Sequence, residues 1–225
     1  MTARLPARLP TTVALITAFL GLAAMPAKAD IYGFSSLPGF AAAAPGAQVD
    51  GFSDLSPGDV GDSPMARSAG SIGYTVSTDH DSGGLYFGGN SADPYLSNGW
   101  SNEALTFSFA TPVHAVALNT FGSAGGAFGG DTVTITATDS LGNTLTVSLD
   151  NTLADRSSFI GFGSTAPIVS LSVYDESSFY VGVDNLRIAA TVSAVPEPAS
   201  VLLMALGGLG LAGLGWRRRS AAAQR

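Results

Sequence analysis

From about residue 103 to residue 189, apolar and polar positions alternate with a period of two, broken at intervals by Gly, Asn, Asp, Ser and Pro. In the run from Asp131 to Thr138, Val133, Ile135 and Ala137 fall on one side and Thr132, Thr134 and Thr136 on the other. That alternation predicts a half-buried strand of an antiparallel sheet. Asp139-Ser140-Leu141-Gly142-Asn143 then supplies turn chemistry before Leu145, Val147 and Leu149 alternate again, so a hairpin is expected. Further strands are expected at 103–110, 113–121, 158–162, 168–174 and 180–189. No window holds a helical period over three turns, and turn signals recur every 8 to 12 residues or so, which predicts an all-β, antiparallel β-sandwich. Upstream, residues 31–98 are looser in pattern, and Ala41-Ala42-Ala43-Ala44-Pro45-Gly46 reads as a linker. The sandwich is therefore placed at 49–190, with 30–48 as its lead-in.

Both ends depart from this pattern. Arg4 and Arg8 precede an apolar run from Thr12 to Leu22, and Ala27-Lys28-Ala29 follows with small residues in the A-x-A arrangement. Residues 1–29 thus read as a signal peptide cut before Asp30, because the run is about half the roughly 20 residues that a bilayer core requires. At the other end, a linker at 191–198 contains Pro196, Glu197 and Pro198, and residues 199–216 carry no charge. Those 18 residues would make about 27 Å of helix, enough to cross a bilayer. Arg217, Arg218 and Arg219 open a basic tail at 217–225, which should stay cytoplasmic and leave the preceding domain outside.

Pro-Glu-Pro, a short apolar helix and a terminal arginine cluster together resemble the PEP-CTERM sorting signal across residues 195–225. The resemblance implies a bacterial protein exported with the help of signal peptidase, held transiently in the inner membrane, and cut near Pro196-Glu197-Pro198 by an exosortase. It also implies a destination at the cell surface or in an extracellular matrix rich in polysaccharide. A second resemblance spans roughly Val49 to Ala189. Phe52-Ser53-Asp54-Leu55, Thr106-Phe107-Ser108-Phe109, Phe159-Ile160-Gly161-Phe162 and Val183-Asp184-Asn185-Leu186-Arg187-Ile188 are similar to the jelly-roll domains common in such cargo. Those domains are similar in outline to carbohydrate-binding jelly rolls. The likeness implies a structural calcium held between Asp54, near the first strand, and Asp184, on the last.

Charge and composition narrow the chemistry. Residues 30–198 hold all 17 acidic residues against Arg67, Arg156 and Arg187, a net −14 that repels phosphate backbones and argues against nucleic-acid binding. With no cysteine, a disulfide scaffold, a thiol nucleophile and a Cys-ligated metal site are excluded. His80 lies in a polar loop and His114 alternates with apolar strand residues, and no G-x-S-x-G elbow accompanies them. Glu103, Glu176 and Glu197 are the three glutamates, and they sit at a strand start, in a turn and in the sorting motif rather than as an acid–base pair. Asp79-His80-Asp81-Ser82-Gly83-Gly84 starts like an EF-hand loop but departs from it at Gly83 and Asn90. Gly208 to Gly213 fits G-x-G-x-x-G but is followed by no acidic residue, so a dinucleotide reading is rejected. Tyr86, Tyr95 and Trp100, set among Gly, Asn, Asp and Ser, are the candidate residues for binding carbohydrate. The expected function is a non-catalytic cell-surface or matrix protein, the alternative a carbohydrate-binding module for extracellular polysaccharide.

Overall fold

The computed structural model describes residues 30–79, 84–124, 127–129, 131–177 and 180–193. The expected signal peptide, the transmembrane segment, the Pro-Glu-Pro motif and His80 lie outside these residues. In chain order the elements are β1 (Ile31–Phe34), α1 (Leu37–Ala43), β2 (Gln48–Asp50), β3 (Val60–Gly61), β4 (Met65–Ala69), β5 (Ile72–Thr78), β6 (Leu85–Asn90) and β7 (Asp93–Asn98). They continue with β8 (Leu105–Ala124), β9 (Ala127–Phe128), β10 (Val133–Asp139), β11 (Thr144–Leu149), β12 (Phe159–Asp175) and β13 (Tyr180–Ala189). Every strand pairing is antiparallel.

Two long strands organise the sandwich. The first part of β8 pairs with β5 and with the second part of β12, which in turn pairs with β10, so the first layer runs β11-β10-β12-β8-β5-β4. The second part of β8 pairs with β13 and with the first part of β12, and that layer continues through β7, β6 and β3, with β1 on β12 and β2 also on β13. Between the layers the β8–β12 register shifts, from Gly163↔Ala115 to Ile168↔Val113. Pro167 lies in that stretch and Pro112 in the shift that follows, from Ile168↔Val113 to Ser170↔Ser108, where residues without a backbone N–H cost no ladder bond. The sequence pattern divides each of these strands into two, because both halves alternate properly and only the bend between them does not.

One hydrophobic core fills the space between the layers and includes Phe52, Phe107, Phe162, Leu118, Ile135 and Leu171. The first layer keeps its other side toward solvent, which is why β10 alternates buried Val133, Ile135 and Ala137 with half-buried threonines. The second layer is covered on both sides over part of its width. Ala115, Ala117 and Ala189 point away from the main core and meet Phe40 and Ala44 of the α1 segment in a second small cluster. Small residues are needed there because a helix lies against the sheet.

Residues 30–48 are thus more than a lead-in. Ser36 caps α1 by accepting from the Gly39 N–H at 3.4 Å, Pro38 sits in the first turn, and Phe40 is fully buried. β1 pairs with Gly161–Ser164 of β12. The alanine-rich run reads as a linker in sequence because a two-turn helix is too short to show a period.

Candidate functional site

A cleft of about 810 Å³ opens on the second layer, between the β6–β7 hairpin, the start of β13 and the 154–156 loop. Its chief side chains are Tyr86, Tyr95, Tyr180, Asn90, Asp155 and Arg156. The hairpin forms where Asn90 Oδ1 accepts from the Ala92 N–H at 2.9 Å across a two-residue turn. Gly88 stands opposite Tyr95 in this hairpin, and a Cβ at Gly88 would overlap the Tyr95 ring. Glycine there lets the tyrosine lie across the neighbouring strand. Below, Asn98 Oδ1 accepts from the Val181 N–H at 2.9 Å and Ser97 Oγ donates to the Val181 carbonyl at 2.9 Å, which fixes β7 to the beginning of β13.

The floor is aromatic. Tyr95 is buried and meets Phe121 edge to face, with ring centroids 4.9 Å apart. Arg156 lies over both rings, 5.3 Å from Tyr95 and 5.8 Å from Phe121. It forms an ion pair with the Asp93 carboxylate and donates to the Asp93 carbonyl at 3.3 Å. Burial, with Tyr86 nearby, raises the Tyr95 phenol above its usual range, so it stays protonated as a donor and acceptor. The walls are more open, with Tyr86 and Tyr180 each 39% exposed. Asp155 accepts from the Ser157 hydroxyl at 2.6 Å and backbone N–H at 3.0 Å, bonds that hold its carboxyl below the ordinary carboxylate range.

Of the three aromatics expected from sequence, Tyr86 and Tyr95 line the cleft, whereas Trp100, 59% exposed in the turn after β7, does not. Tyr180 and Arg156 escape sequence reasoning because they are 85 and 61 residues from Tyr95 and reach it only through the sheet order. No local signal marks them, although Arg156 is one of three bases in an otherwise acidic segment.

Asp54 and Asp184 occupy separate settings. Asp54 is 71% exposed and accepts from Arg67 Nη2 at 2.7 Å, a bond that lowers its pKa. Asp184 is buried on β13, where desolvation raises its pKa against the influence of Arg156 and Arg187. Asp54 is thus already paired with Arg67, and among the described residues no group of three or more His, Asp or Glu side chains gathers for a metal. This donor set fits calcium poorly, because the ion takes six to eight oxygen ligands. The residues weighed for catalysis have separate settings: His114 Nδ1 lies 3.0 Å from the Ser164 carbonyl, Glu103 is buried just before β8, and Glu176 accepts from the Thr134 hydroxyl.

Beyond the described residues, residues 194–219 match a family of known purpose. They carry the PEP-CTERM protein-sorting motif. The PEP-CTERM match contains Pro196, Glu197, Pro198, Arg217, Arg218 and Arg219, and it marks the chain as an exported protein sorted by an exosortase, with a membrane-anchoring signal that is transient. No curated protein matches the chain. Among solved structures, the chain is similar to a family 6 carbohydrate-binding module at 14% identity, over 57% of this chain and 95% of that one, with a TM-score of 0.32. It is similar to the CBM22-1 xylan-binding domain of Xyn10C from Paenibacillus barcinonensis at 15% identity, over 63% and 99%, with a TM-score of 0.31. A third similarity is to the CBM22-1–GH10 modules of xylanase 10B from Clostridium thermocellum at 13% identity, over 51% of this chain but only 26% of that one, with a TM-score of 0.34.

Proposed function

We propose that this PEP-CTERM protein is a non-catalytic component of the cell surface or extracellular matrix, and that its cleft binds a neutral glycan. Signal peptidase would release it before Asp30 and exosortase would cut near Pro196-Glu197-Pro198. The observation that carries the glycan reading is the pairing of two half-exposed tyrosines, Tyr86 and Tyr180, over the polar rim of a cleft floored by Tyr95. Tyrosine faces cover the apolar faces of a sugar ring while Asn90 and Asp155 are within the lining to bond its hydroxyls.

Neutral rather than acidic glycan is favoured by charge. Arg156 is the basic residue of the cleft lining and is already paired with Asp93, and Asp155 adds a further carboxylate. A uronate entering the cleft would meet net negative charge. Hydrolysis is disfavoured by the same pairing, since Asp93 is held by Arg156 and Asp155 by Ser157, and neither stands as a free acid or base opposite the other.

Titration calorimetry with neutral xylo- and gluco-oligosaccharides should show saturable binding without turnover. Tyr86→Ala and Tyr180→Ala should each weaken it about tenfold, or about 1.4 kcal/mol. Binding untouched by both substitutions, or release of shorter sugars, would overturn the reading.

Calcium through Asp54 and Asp184 adds nothing to this reading. The melting temperature is expected to be the same in millimolar calcium and in chelator, because a ligand raises stability only by binding the folded state. A calcium-dependent rise that Asp184→Ala abolishes would show that the two carboxylates do hold the ion.

A further inference from the structure

The solvent side of the first layer carries a grid of hydroxyls. In one row Thr146, Thr136, Ser172, Thr106 and Ser77 stand side by side across β11, β10, β12, β8 and β5. In the next row, two residues along each strand, stand Thr144, Thr138, Ser170, Ser108 and Thr75. Each is exposed or half-buried, and their neighbours along the strands, such as Ile135, Leu171, Phe107 and Val76, point into the core. Every position of both rows is Ser or Thr. From strand spacing and rise the grid is about 19 Å wide, with hydroxyl-bearing positions about 4.8 Å apart across strands and about 6.8 Å apart along them.

Two properties of this face are unusual for this chain. Residues 30–198 carry a net −14, yet neither row holds a charge, and Glu176 comes in only beyond the grid, bonded to Thr134. Side-chain hydroxyls also bond across strands, Thr136 with Thr146 and Thr134 with Ser148, each at 2.9 Å. Such pairs hold the hydroxyls at fixed spacing rather than leaving each to rotate alone.

We propose that this face is a second binding surface, separate from the cleft and independent of it, and that its partner is the packed surface of a neutral polysaccharide. The surface lacks the concavity to enclose a small ligand, and Tyr174, its aromatic neighbour opposite Thr134, stands outside both rows. A hydroxyl bonds a hydroxyl only weakly against water, so affinity accumulates only when the partner repeats the same group over the whole width. Chains of a neutral polysaccharide laid side by side present that repeat, and the threonine methyls cover the apolar edges between hydroxyls. The lack of charge fits a neutral partner, whereas an anionic gel would be repelled by the acidic residues around the grid and would find no cation on it.

The test is adsorption of the full-length chain, in mild detergent, to microcrystalline cellulose and to calcium alginate gel. Wild type should partition to cellulose over alginate. Thr136→Lys with Ser172→Lys should cut cellulose adsorption at least about tenfold, and Thr106→Ala with Ser108→Ala should lower it without adding charge, each checked for an unchanged β spectrum. Tyr86→Ala with Tyr180→Ala should leave this adsorption standing while abolishing binding of soluble oligosaccharide, so the two surfaces are told apart. Adsorption that survives both grid variants, or that disappears with the cleft tyrosines, overturns the proposal. So does a wild-type dimer in sedimentation that the lysine variant dissociates, since the partner would then be a second copy of the chain.

Discussion

Replacing Asp50 with alanine is expected to lower the unfolding free energy by about 3–5 kcal/mol. Asp50 is buried at the end of β2 and accepts four bonds: from the Phe52 N–H at 2.8 Å, from Arg67 Nε at 2.8 Å and Nη2 at 2.9 Å, and from the Tyr74 hydroxyl at 2.6 Å. Arg67 and Asp50 have side chains only 8% and 6% exposed. Burial works against the charge on Arg67, but its bonds to Asp50 and Asp54 outweigh that and hold the guanidinium more firmly protonated than in water. Burial, with Asp50 beside it, likewise pushes the Tyr74 phenol up. Removing Asp50 leaves a desolvated cation whose one other carboxylate, Asp54, is largely in solvent. The effect is large for a further reason: β2 belongs to the second layer, whereas Arg67 on β4 and Tyr74 on β5 belong to the first, so the cluster joins the two sheets. Urea unfolding followed by tyrosine fluorescence would measure the loss. The pair Asp50→Leu with Arg67→Met should recover much of it, because an apolar replacement leaves no charge unpaired. A loss under about 1 kcal/mol for Asp50→Ala would show that solvent reaches the cluster.

Phe121→Ala should cost a comparable amount, about 3–5 kcal/mol, and should also abolish glycan binding in the molecules that remain folded. Phe121 is fully buried on β8 opposite Gly182 of β13, where a Cβ would overlap its ring, so the glycine and the phenylalanine form one packing unit. Its upper edge supports Tyr95 and its ring carries Arg156, so its loss lets the floor of the cleft sink. Phe107→Ala is the matched control. Phe107 is equally buried, but its ring partner is Tyr74, 6.0 Å away at the opposite side of the core from the cleft tyrosines. The two variants should lose similar stability in denaturant, while only Phe121→Ala loses calorimetric binding. Equal binding in both would detach the cleft from the Phe121 ring beneath it.

The strands legible in the sequence are those with one wet face. β13 falls at the bounds expected from alternation, Tyr180–Ala189, β11 holds the alternating Leu145, Val147 and Leu149, and β10 differs by a residue or two. β5 and β6 were hidden because glycines interrupt them, as at Gly73, Gly88 and Gly89, and β7 because Pro94 stands near its start; a glycine reads as a turn even where, as at Gly88, it makes room for a neighbouring ring. The bends in β8 and β12 were hidden for the opposite reason. Pro112 and Pro167 announce a break, and only the pairing on either side shows that one strand passes through it. At the cleft, Tyr86 and Tyr95 could be picked out because they stand close together among polar residues. Tyr180 and Arg156 join them through strand order, which no local pattern encodes. The acid-rich composition suggested calcium, but it did not show that Asp54 would bond Arg67 in solvent while Asp184 is buried on β13.

The position of β13 bears on how the domain carries load. The linker to the sorting tail leaves from the end of this strand, so tension on the tail reaches the domain at Ala189. There the strand is gripped on both sides, by Ala115–Ala117 of β8 and by Gln48–Asp50 of β2, and just beyond it the Ser193 N–H is tied to the Ala43 carbonyl at 2.8 Å. A pull along β13 must shear these antiparallel ladders together rather than peel an edge strand one bond at a time. The domain is thus held through its interior, and a pull on the tail before it is cut does not first unzip the sheet.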